Sequence, residues 1–108
     1  MKKIIDGLRY DTEKAIEIGS YDNGLGTSDF RNWEATLYRT PRSGRYFLVG
    51  EGGPMTRFAR SVGNMTGGGD GLFPMTKGEA LAWAEQYLDA DEIEQHFGDA
   101  IQDAEIIH

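Results

Sequence analysis

The pattern of this 108-residue chain changes period at Thr76, from alternation typical of strands to the three-and-four spacing of helices. A chain that writes its strands first and its helices last is expected to fold as α+β: a small antiparallel sheet of about four to five strands followed by two C-terminal helices packed on it. The clearest alternation runs from Trp33 to Thr40. Trp33, Ala35 and Leu37 share one face, and Glu34, Thr36 and Tyr38 share the other. Thr40-Pro41-Arg42-Ser43-Gly44 supplies turn residues, so Arg45 to Gly50 is expected to return as the second strand of a hairpin. Asp6-Gly7 should close another hairpin between Lys2–Ile5 and Leu8–Tyr10. Asp11 to Ala15 fits one helical turn capped by Asp11 or Thr12, and Ile16 to Ile18 fits a short strand.

Several segments read as breaks. Ser20 to Ser28 is rich in Gly, Asn and Asp and is expected to be a loop. Glu51-Gly52-Gly53-Pro54 should end the sheet. Thr56 to Val62 reads as a strand, although Phe58 and Val62 also fit a helix. Gly63 to Gly71 holds five glycines and is expected to be a flexible loop. Leu72 to Met75 reads as an edge strand, because Pro74 lacks a ladder donor.

Beyond this point Thr76-Lys77-Gly78-Glu79 matches a capping box, with Thr76 as N-cap and Glu79 three residues on. Ala80, Leu81, Ala84, Tyr87 and Leu88 then recur at helical spacing, and Trp83 widens the stripe. Asp89-Ala90-Asp91-Glu92 repeats the cap signature, so a second helix is expected from Asp89 or Asp91. Ile93 and Phe97 are its buried stripe and Gly98 its stop. Ile101, Ile106 and Ile107 remain for docking the tail. The length fits a single domain over residues 1–108.

Charge is distributed as unevenly as period. Residues 1–69 carry ten Lys/Arg against eight Asp/Glu, and residues 70–108 carry one Lys against ten acids, which together give the net charge of −7. After Lys77 no cation follows. A concentrated acidic surface repels nucleic acid and attracts basic protein surfaces. The expected partner-binding residues are therefore Asp89, Asp91, Glu92 and Glu94, with Glu85, Asp99 and Asp103 in support. Residues three or four apart on a helix have Cβ atoms roughly 5–6 Å apart, so carboxylates on one face are spaced on the same order as DNA phosphates. A groove of Arg and Lys built for phosphates would accept them. Two plainer readings stand beside this one. Acids favour helix N-termini in any protein, and these acids could pair with Arg39, Arg42, Arg45, Arg57 or Arg60.

Other chemistries find less support. The chain has no Cys, which removes disulfides, thiolate zinc sites and thiol nucleophiles. Gly67-Gly68-Gly69-Asp70-Gly71 carries an acid and does not lead directly into a helix, so it is a poor phosphate cradle. His96 and His108 have no local metal spacing, and Asp89-Ala90-Asp91 lacks the remainder of a calcium loop. No cofactor and no metal are expected. Arg39, Arg42 and Arg45 with Tyr38 and Tyr46 could form a small nucleic-acid patch or a solvated hairpin tip. The net negative charge argues against direct nucleic-acid binding. No apolar run has transmembrane length and Met1-Lys2-Lys3 does not lead into a signal peptide, so a cytoplasmic monomer is expected.

Five segments in order carry a resemblance. They are Lys3-Ile-Ile-Asp-Gly-Leu-Arg-Tyr-Asp-Thr-Glu13, Leu37-Tyr-Arg-Thr40, Tyr46-Phe-Leu-Val-Gly-Glu-Gly-Gly-Pro-Met55, Glu79-Ala80 with Trp83-Ala-Glu85, and Leu88-Asp-Ala-Asp-Glu92. Together they resemble a family of small, mostly uncharacterised proteins carried by bacteria, phages and mobile elements. Asp6 and Lys14 stand where the resemblance would place Asn and Thr. The resemblance implies a non-enzymatic inhibitor, since some relatives act as anti-CRISPR proteins against type I systems. The implied partner is a basic DNA-binding surface of a type I CRISPR complex in the host bacterial cytoplasm. One alternative is an interaction module that uses the Gly-rich loop and exposed aromatics, Tyr21 and Phe30. Another is an enzyme acting on a host protein or nucleic acid, which would need a pocket of polar side chains drawn from distant segments.

Overall fold

A computed structural model describes residues 1–25, 31–53, 60–62, 65–67 and 69–104. The order of elements is strands then helices, and the class is α+β. At its centre is a four-stranded antiparallel sheet in which neighbours follow the order β3 (Ile16–Asp22), β4 (Trp33–Arg39), β5 (Tyr46–Gly52) and β8 (Gly69–Met75). Two separate two-stranded ribbons are formed by β1 (Lys2–Ile5) with β2 (Leu8–Asp11), and by β6 (Arg60–Val62) with β7 (Met65–Gly67). Helices α1 (Lys77–Tyr87) and α2 (Ala90–Phe97) follow, and a short 3-10 turn covers Gly98–Ala100.

Local chemistry accounts for the secure elements. Asp6 and Gly7 both take positive φ, 53° and 78°, as the tight turn between β1 and β2 requires. Asp11 caps the next turn, its Oδ1 accepting from the Glu13 amide at 3.0 Å. Thr76 Oγ1 accepts from the Glu79 amide at 3.1 Å, and Glu79 Oε1 accepts from the Thr76 amide at 2.9 Å. Both halves of the capping box are thus closed. Asp89 caps α2 in the same way, accepting from the Glu92 amide at 2.9 Å. Gly98 does not turn left-handed: its φ is −54°, and the chain leaves α2 through the 3-10 turn instead.

Three expectations change. The sheet is longer than alternation alone implies, because β3 runs on to Asp22 and β5 includes Glu51 and Gly52. The glycine-rich stretch is not a single loop, since Met65–Gly67 and Gly69–Met75 are strands. Ladder hydrogen bonds need only backbone, and seven paired positions from Tyr46/Met75 to Gly52/Gly69 hold these polar and glycine residues in β form. Of the strand expected over residues 56–62, only residues 60–62 are described. Ile106, Ile107 and His108 lie outside the described residues, and Ile101 is exposed.

The two faces of the sheet are covered differently. Ile18, Ala35, Leu37, Tyr46 and Leu48 meet Ala80, Trp83 and Ala84 of α1 and Phe97 of α2 in the main core. Phe97 stacks on Tyr46 with ring centres 5.3 Å apart. The opposite face holds a second, smaller core in which Tyr10 packs edge-on to Phe47 at 5.3 Å beside Leu72. The β1–β2 ribbon therefore covers only part of that face. The helices approach β3 closely at Gly19, where side-chain ends of Leu88 and Glu92 would have to shift for any larger residue. A Cβ there would stand 2.9 Å from the Leu88 methyls and 2.7 Å from Glu92 Oε2. Gly19→Val is expected to cost about 1–3 kcal/mol by overpacking, read as a lower urea midpoint at unchanged slope.

Candidate functional site

Strand register places one carboxylate from each strand of the central sheet in a row. Asp22 faces Glu34, Glu34 faces Glu51, and Glu51 faces Asp70. Residues opposite one another in a ladder project to the same side, and here that side is the one away from the helices. All four are exposed. They line a groove of about 560 Å³ whose floor includes Thr36 and Val49. Adjacent strands are about 4.8 Å apart, so four carboxylates span roughly 14 Å. No Lys or Arg is among the described residues lining the groove. The positive group among those described residues is the Met1 amino terminus, which donates to Thr12 Oγ1 at 2.8 Å.

Glu34 feels its neighbours in the row. The Glu34 carboxyl is held above its ordinary value of 4.5 by a hydrogen bond shared with Glu51, then by burial, then by the charges of Glu51 and Asp22. A carboxyl with a raised folded value favours folding when protonated, and that advantage is lost as pH rises from 4.5 through the folded value. Glu34→Gln is therefore expected to match the parent in stability below pH 4.5 and to exceed it at pH 7. The gain is about 0.2–1 kcal/mol, toward the low end because the pair is exposed and screened. Thermal unfolding at both pH values checks it, and salt should shrink the difference.

The acids expected from the sequence scatter by role. Asp89 is the α2 cap. Asp99 pairs with Lys77, Oδ2 to Nζ at 2.8 Å, which raises the Lys77 value and lowers that of Asp99. Glu92 is half-buried over Gly19. Glu85, Asp91, Glu94 and Asp103 are exposed. Glu85, Asp89, Asp91, Glu92 and Glu94 belong to the helices or their cap, whereas the row Asp22–Glu34–Glu51–Asp70 lies on the other side of the sheet.

Arg39 and Arg45 lie at the far end of the sheet from the acid row, whereas Arg31 stands just before β4 at the acid-row end. Arg39 ends β4, Arg45 precedes Tyr46 at the start of β5, and both line a pocket with Lys77 and His96. Arg42 is exposed at the hairpin tip and does not line that pocket. His96 is driven below its ordinary value of 6.5 by burial and then by the Arg39 charge, against the opposing pull of Glu92.

Tyr21 is not an exposed aromatic. It packs among Trp33 at 5.3 Å and Tyr87 at 4.8 Å, and Tyr87 in turn contacts Trp83 at 5.1 Å. Phe30 lies outside the described residues. Among the described residues no group of three or more His, Asp or Glu is arranged to hold a metal ion, and no helix is long and apolar enough to cross a membrane. The chain matches no family model, no curated protein and no solved structure.

Proposed function

We propose that this protein is an anti-CRISPR inhibitor that binds a type I surveillance complex and blocks DNA recognition with a DNA-mimicking acidic surface. The observation that carries the proposal is the cross-strand row Asp22–Glu34–Glu51–Asp70. Four carboxylates on adjacent strands of a sheet are held apart by backbone ladders rather than by flexible side chains. A row set this way offers a basic groove acceptors at fixed spacing, with little ordering left to do on binding. Glu34 carries repulsion from Glu51 and Asp22, and charge complementarity to a basic partner would relieve it. The five ordered motifs supply the choice of partner class. On the helix side Glu85, Asp91 and Glu94 are exposed acids that a wrapping partner would also meet.

Capture of a purified type I complex by the immobilised protein tests the proposal. Binding is expected at 50 mM salt and should fall by about tenfold or more at 200 mM, where screening shortens the reach of charge. Binding that is indifferent to salt would reject electrostatic mimicry. A protein that captures no type I complex at either salt would reject the partner.

A further inference from the structure

At the opposite end of the sheet from the acid row, β4, β5 and β8 end against the two helices around a pocket of about 680 Å³. Arg39, Arg45, Lys77 and His96 line it, together with Glu79 and Asp99. Both acids are already engaged. Glu79 accepts the Thr76 amide at 2.9 Å, and Asp99 holds Lys77 at 2.8 Å. Among the described residues, the guanidiniums of Arg39 and Arg45 and the His96 ring have no ion pair or side-chain hydrogen bond. Arg39 Nε is buried and has no hydrogen-bond partner. A buried charged donor without an acceptor is costly, and the Arg45 guanidinium facing the same cavity adds a second positive charge. One anion between them would satisfy the donors and remove the repulsion.

We propose that this pocket binds a small-molecule phosphate monoester. Guanidinium forks match phosphate oxygens in pairs, which favours phosphate over a single carboxylate. A volume of about 680 Å³ exceeds a bare phosphate and falls within the usual range for small-molecule sites, so an organic group belongs beside the anion. Tyr10 and Tyr46 provide that wall. Both rings are buried, Tyr10 fixed edge-on against Phe47 and Tyr46 stacked on Phe97. Nothing in this site depends on the acid row or on its partner.

Titration of the full-length protein with phenyl phosphate, followed by NMR of the Arg side-chain and His96 ring resonances, tests the assignment. Dimethyl phosphate at matched ionic strength serves as the diester control. Saturable shifts confined to the pocket are expected with the monoester, and weaker ones with the diester. Arg39→Gln and Arg45→Gln should each weaken binding by about tenfold or more, as loss of a charged hydrogen bond implies, while Arg42→Gln should leave it unchanged. If Arg39→Gln does not fold, the exposed Arg45 decides the matter. Absence of a saturable shift, equal affinity for the diester, or parental binding by Arg45→Gln would each overturn the proposal.

Discussion

Phe97→Ala is expected to remove about 3–5 kcal/mol of stability, the usual cost of truncating a fully buried ring. Phe97 is 0% exposed, is the one buried residue of α2, and stacks on Tyr46 of β5. Its loss opens a cavity between α2 and the sheet that rigid β4 and β5 cannot close. α2 is only eight residues long, too short to persist without tertiary contact. Domains of this size are stable by about 5–15 kcal/mol, so the variant should lose a third or more of the total. Urea unfolding by fluorescence and far-UV circular dichroism measures it. A loss under about 1 kcal/mol would mean that Ile93 and Leu88, rather than Phe97, hold α2 in place.

The second large effect concerns binding. The double reversal Glu34→Lys with Glu51→Lys is expected to reduce affinity for the type I complex by about 100-fold or more, in line with the 2–5 kcal/mol attached to charges that meet an opposite partner at an interface. Folding should survive. Each new cation would stand beside an acid, Asp22 on one side and Asp70 on the other, where the parent has four like charges in register. Stability at pH 7 equal to or above the parent's, together with lost binding, separates function from structure. The matching reversal on the helix side, Asp91→Lys with Glu94→Lys, ranks the two acidic surfaces. If it abolishes binding while the sheet variant binds normally, the active surface is the helix face.

Much of the frame was readable from residue pattern. The β4–β5 hairpin, the Asp6-Gly7 turn, and the caps at Thr76 and Asp89 are local signals, and each appears where local chemistry places it. Ala35 and Leu37 face the helices, and Glu34, Thr36 and Tyr38 face away, as alternation requires. What pattern could not supply was register among distant strands. Glu51 beside two glycines looks like a break, and Asp70 among glycines looks like a loop. Only pairing over long sequence separation turns them into strand positions and aligns them with Asp22 and Glu34. The signal that could have found part of the row was the hairpin itself, because extending its ladder by one pair beyond Gly50 sets Glu34 against Glu51. The pocket of Arg39, Arg45 and His96 was hidden for a similar reason, as it joins a hairpin to a helix roughly half the chain away. The acid run after Lys77 proved mixed in role, with Asp89 capping, Asp99 paired, and Glu85, Asp91 and Glu94 exposed.

Competition with target DNA tests DNA mimicry most directly. A purified type I complex with a labelled target duplex is titrated with the protein at 100 mM salt, and bound DNA is followed by fluorescence anisotropy alongside the mass of the complexes formed. Mutually exclusive binding is the expected result: anisotropy falls to that of free DNA as the protein is added, excess DNA displaces the protein, and Glu34→Lys with Glu51→Lys competes about 100-fold less well. A stable ternary assembly of protein, complex and DNA, with anisotropy undiminished at saturating protein, would contradict the account.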